Sequence, residues 1–91
     1  MAITQKEQTR IALHMTKAVW DVYTETTGVE IPTLTDCRKI CNTTNKRLEK
    51  LGFKDRYGPL QMTPFDFLTR VYNMEHDKAR DLLFAGLEET A

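Results

Sequence analysis

No apolar run in this sequence is longer than four residues, Leu82-Leu83-Phe84-Ala85, whereas a bilayer-spanning helix needs roughly 18. No transmembrane segment is expected. The N-terminal stretch carries Lys6 but no apolar segment behind it, so neither secretion nor organelle import is predicted and the expected setting is cytoplasmic. A net charge is also missing, since 13 basic residues balance 13 acidic ones. That balance argues against a protein that coats nucleic acid through bulk basicity or imitates it through bulk acidity. Glycine is scarce, and its 4 scattered residues build no Gly-rich phosphate loop. Cysteine is limited to Cys37 and Cys41, which lack the two-residue spacing and second ligand pair of a zinc site. Four apart on a helix, they share one face with their Cβ vectors side by side, which suits a disulfide poorly. They are expected to be reduced core thiols.

What is present suffices for one folded domain. Hydrophobic residues make up 41% and charged residues 29% of the 91, close to globular averages. A chain this short buries roughly 60–65% of its unfolded surface, enough for one core and no more. A single domain over residues 1–91 is therefore expected. Its charge is unevenly spread: residues 1–35 hold three basic and four acidic side chains, 36–56 seven and three, and 57–91 three and six, for local balances of −1, +4 and −3. The basic middle of one copy can meet the acidic end of another.

Hydrophobic periodicity is helical throughout. Thr4-Gln5-Lys6-Glu7 fits a capping box, and Gly28 can end the helix it opens, giving a long first helix from about residue 5 to residue 27. Ile11, Met15, Ala18 and Val22 fall in a narrow stripe predicted to face the core, with Ala12, Val19 and Tyr23 beside it. Leu13 and Trp20 lie on a further strip, which widens the apolar arc to about 220°, more than one packed neighbour covers. Pro32 ends an extended connection. A second helix starts near Thr33 or Thr35, carries Leu34, Cys37, Cys41, Thr44, Leu48 and Leu51 on one seam, and ends at Gly52. Its weak point is Asn42-Thr43-Thr44-Asn45, four poor helix formers that together cost about 2 kcal/mol relative to alanine, which leaves one continuous helix and two broken there as alternatives. A loop with a turn at Tyr57-Gly58-Pro59 follows. Thr63 as N-cap, Pro64 and Asp66 then open a helix over about 64–72, with Met62 positioned to staple onto Phe67. Asn73 is placed to cap it, and a last helix covers about 75–89 with Ala79, Leu82, Leu83 and Leu87 inward. A single bent helix over 64–89 is the alternative.

Two patterns bear on function. Residues 34–53 resemble a helix-turn-helix: with Cys37 at the fourth motif position, Cys41, Asn42, Leu48 and Leu51 fall where the motif needs them. Arg38 stands where a small residue should allow close crossing, and Thr43 where an apolar one belongs. Such a motif would turn Asn45, Lys46, Arg47 and Lys50 toward phosphates and base edges, with Arg38, Lys39, Lys54 and Arg56 completing a basic footprint for nucleic acid or an acidic partner. The other reading is a core helix with a solvated basic face. The second pattern is the wide arc of the first helix, which makes Leu13 and Trp20 candidate anchors for a partner helix unless the domain's own helices wrap both sides. His76-Asp77 resembles the paired ligands of helical metal-dependent phosphohydrolases, but that chemistry needs further ligands and the only other histidine is His14.

The expected fold is an all-α bundle of four to five helices, the long first helix packed against the second and the last, and a helix-turn-helix possible at 34–53. No enzyme, cofactor, metal or small-molecule substrate is expected. The expected function is a protein–protein interaction module, homodimeric, that modulates or inhibits a larger host complex by binding it. In size and lack of catalytic groups it is similar to the small accessory proteins of phages and mobile elements. A helix-turn-helix transcriptional regulator binding DNA is the alternative, and a structural subunit of a particle a lower one.

Overall fold

The hydroxyl of Thr4 accepts the Glu7 amide at 3.1 Å and starts α1, Gln5–Thr27, in a computed structural model that describes residues 3–90, with side chains to residue 86. Gly28, at φ 76°, supplies the left-handed residue that stops it. The reciprocal half of the expected capping box is not formed, because the Glu7 carboxylate turns to Arg10 one turn on, at 3.1 Å from Nε. The complete box belongs to α2, Leu34–Leu51: Thr33 Oγ1 accepts the Asp36 amide at 3.3 Å, and Asp36 Oδ2 accepts the Thr33 amide at 2.9 Å.

Of the two alternatives for α2, the continuous helix is the one formed. Thr43 and Thr44 return their hydroxyls to the carbonyls of Lys39 and Ile40, each at 3.0 Å, and Thr44 is fully buried. Asn45 reaches across to the loop, donating Nδ2 to the Met62 carbonyl at 3.0 Å and accepting the Met62 amide at 2.6 Å. These side chains find partners that leave the helix ladder intact, and tertiary contact outweighs the unfavourable propensity. The helix-turn-helix considered possible over residues 34–53 is therefore not formed: Asn42 lies inside a continuous helix, with no turn to set a second helix at an angle.

Thr63 caps α3, Pro64–Asp66, accepting the Asp66 amide at 3.1 Å, and the chain then widens into a π-helical stretch, Phe67–Val71. The Tyr72 amide bonds the Phe67 carbonyl at 2.9 Å, and the Met74 amide the Leu68 carbonyl at 2.8 Å. Asn73, at φ 63°, turns the chain between them. It separates this segment from α4, His76–Thr90, so a single bent helix over 64–89 is excluded. Among the described residues no strand forms, only an isolated bridge between Lys54 and Pro59.

Helices α1 and α2 make an antiparallel hairpin. Tyr23, near the end of α1, donates its hydroxyl to Asp36 near the start of α2, while Gln8 at the other end accepts the Lys54 amide at 2.6 Å. The π-helical stretch packs on α1, and α4 packs on α2, α3 and the π-helical stretch. The contact expected between α1 and α4 is absent among the described residues. Gly86 of α4 crosses α2 so closely that a Cβ there would lie 2.5 Å from Leu34 Cβ. Ala79 is fully buried in the core, as expected, and Leu82 and Leu83 are half-buried against it; the Leu87 side chain lies outside those described.

The phase of α1 differs from the expected one. Its buried residues are Ala12, Thr16, Val19 and Trp20, whereas Ala18 is exposed and Val22 is 63% exposed. The cause is Trp20, whose ring meets Phe67 edge-on at 5.5 Å and Tyr72 at 5.7 Å. Burying that ring turns the core face by about one residue's 100° around the axis. Thr16 enters the core without losing a hydrogen bond, donating to the Ala12 carbonyl at 2.8 Å.

Candidate functional site

Rotating α1 leaves an apolar strip uncovered beside α2. Ala18 and Val22 of α1 and the edges of Val19 and Ile40 floor an open groove of about 670 Å³, lined entirely by α1 and α2. Val22 is largely exposed, whereas Ile40 is 1% exposed and fixes the floor. Lys39, Thr43 and Arg47 stand along the α2 rim, on successive turns of one helix face, and Thr26 and Thr27 close one end.

Electrostatics set the character of this groove. Asp36, next to Lys39, is engaged in the α2 cap and by Tyr23. Burial pushes its carboxyl up, but hydrogen bonds from the Thr33 amide, the Tyr23 hydroxyl and the Thr33 hydroxyl, with the charge of Lys39, together hold it below the usual carboxylate range. The same hydrogen bond raises the Tyr23 phenol, with smaller contributions from burial and from the charge of Asp36. Among the described residues the ion pairs are Arg10 with Glu7, Lys17 with Asp21 and Arg80 with Asp77. None of them involves α2, so neither Lys39 nor Arg47 is in a direct ion pair among the described residues, although the charge of Lys39 acts on Asp36.

The expected basic footprint is divided by this geometry. Lys39, Lys46 and Lys50 form an exposed outer ridge at spacings of seven and four, and Arg47 leans from its flank over the groove. Arg38 faces the opposite side, beside Leu34, Phe65 and Leu83. Arg56 lies on the loop near Lys6 and Arg10 at the start of α1. Lys54 is exposed and uses its backbone in the bridge to Pro59. Asn45 leaves the set altogether, since both ends of its amide are spent on Met62.

The two anchors expected on α1 also move. Trp20 is 8% exposed and buried in the chain's own core, so it is not available to a partner. Leu13 is half-buried next to Val71 in a hollow of about 230 Å³ rimmed by Arg10, His14, Lys17 and Arg70; Arg10 and Lys17 are already paired there. The wide arc of α1 does carry a second apolar strip, but on the edge assigned to the core. Sequence reasoning missed Ala18 and Val22 as surface residues for that reason.

Cys37 and Cys41 are free and buried. Burial, then the charge of Asp36 for Cys37 and that of Cys37 and Asp66 for Cys41, pushes both thiols up to about 12. They are protonated packing groups, not nucleophiles. No helix among the described residues is long and apolar enough to cross a membrane. Compared with protein-family models, curated proteins and solved structures, the chain has no match.

Proposed function

We propose that this chain is a non-enzymatic protein–protein interaction module whose groove between α1 and α2 receives an acidic amphipathic helix, and that it acts by occupying a surface of a larger complex. The observation that carries the reading is the juxtaposition of exposed Val22 and Ala18 with Lys39 and Arg47 on the opposite rim. Apolar burial on the floor supplies attraction without direction, at about 25 cal/mol per Å². Cations on the rim select a partner of opposite charge and fix its register. A second observation, the ridge of Lys39, Lys46 and Lys50, keeps DNA as a second reading through phosphate contacts alone.

The test is fluorescence anisotropy with two designed helical probes that share one apolar stripe, flanked by Glu in one and by Lys in the other. The Glu-flanked probe should bind at least about tenfold tighter, a difference of about 1.4 kcal/mol. Val22→Asp should abolish its binding while leaving the circular dichroism spectrum unchanged, because Val22 is exposed. Equal binding of both probes, or unchanged binding by Val22→Asp, would sink the proposal. Tight, salt-sensitive binding of duplex DNA with no binding of either probe would favour the second reading.

A further inference from the structure

We infer that a second copy of this chain supplies one such helix: the outer ridge of its α4, with Asp77, Asp81 and Phe84, seats in the α1–α2 groove. The inference rests on the groove being a docking site for acidic amphipathic helices. Phe84 is 61% exposed, and it follows Asp77 and Asp81 at spacings of four and three, which places all three on one outward ridge. Asp81 has no ion-pair partner among the described residues, and Asp77 has only Arg80, at 3.4 Å on the surface. The ridge from Asp77 to Phe84 is about 10 Å long and the rim from Lys39 to Arg47 about 12 Å, at 1.5 Å per helical residue. With the ring over Val22 and Ala18, both carboxylates lie on its N-terminal side, about 6 Å apart along the ridge, facing the cations of the rim.

The contact has to be between molecules. In its own chain α4 is held on the other flank of α2, where Gly86 meets Leu34, and no α4 residue lines the groove among the described residues. The same complementarity appears in the charge balances of −3 over residues 57–91 and +4 over residues 36–56. The surfaces that meet are different ones, so a two-fold arrangement forms the contact twice and closes a dimer, while a head-to-tail arrangement extends. Either way self-association occupies the groove. A partner's helix and a second copy then compete, and the protein's own concentration sets how many grooves are open.

Light scattering of the full chain over a concentration series tests this. The wild type should gain mass with concentration at low salt and lose it at moderate salt. Phe84→Ser, the pair Asp77→Lys with Asp81→Lys, and the pair Lys39→Glu with Arg47→Glu should each remain monomeric with wild-type helicity. Mixing the last two chains should restore association, because the lysine-bearing α4 of one now fits the acidic groove of the other. A wild type that is monomeric throughout, or a mixture that stays monomeric while both chains are folded, would overturn the inference. The Glu-flanked probe separates the two failures. If the wild type stays monomeric yet binds the probe, the docking groove stands and only the second copy is wrong; if the probe binds neither the wild type nor the Asp77→Lys, Asp81→Lys chain, both fall.

Discussion

Cys37 and Cys41 hold their protons up to a pH of about 12 in the folded chain, whereas a thiol in the unfolded chain ionises near 8.5, the usual value of about that size. Between those two limits the folded state binds more protons than the unfolded one, so stability falls as pH rises, and below the lower limit the thiols contribute no slope. The melting temperature should therefore drop more steeply above a pH of about 9 in the wild type than in a chain carrying Cys37→Ala and Cys41→Ala. Parallel curves in a thermal-melt series would show that the thiols are not desolvated. Asp36 acts at the opposite end of the scale. Its carboxyl is held down in the fold, so its contribution is present above its unfolded value and is lost as pH falls through the folded one, while the raised Tyr23 phenol loses its share as pH climbs. The hydrogen bond that locks the loop end of the hairpin thus has an acid limit and an alkaline limit.

For elements, the decisive positions are the helix ends and one crossing. At the crossing of α4 over α2, a Cβ on Gly86 would stand 2.5 Å from Leu34 Cβ and 2.7 Å from its Cδ2. Leu34 Cβ is fixed to its backbone and cannot rotate away, so Gly86→Ala has to push α4 outward. Overpacking costs about 1–3 kcal/mol, against a gain of about 1 kcal/mol in helix propensity. A net loss of up to about 2 kcal/mol is expected in urea unfolding, and a gain would show that the helices do not cross so closely. The ends themselves were legible because capping is local: Thr33, Thr63, Gly28, Gly52 and Asn73 each act within a few residues of where they stand. Whether α2 is one helix or two was not decided by the sequence, since the partner of Asn45 lies 17 residues away at Met62. Nor was the phase of α1. A 220° arc admits several orientations, and Phe67 and Tyr72, far along the chain, choose among them by enclosing Trp20.

Across the whole molecule, the neutral total conceals a basic α2 and an acidic outer ridge on α4, and the sequence displays that separation directly. What it does not display is how helix rotation divides seven cations among a ridge, a groove rim, a far flank and a loop, because that depends on which face of α2 meets α1. The groove was foreshadowed only as surplus apolar width, with its edge misassigned to Leu13 and Trp20. Among the described residues helices α1 and α4 make no contact, and each is joined to the rest through α2 and the segment from Pro64 to Val71. Helix α4 can therefore detach while the α1–α2 hairpin keeps its own contacts, a partial opening that costs less than global unfolding. Amide hydrogen exchange should accordingly run fastest in the body of α4 and slowest in the middle of α2, around Cys41 and Thr44. Uniform protection across both helices would mean that the four helices open only as a unit.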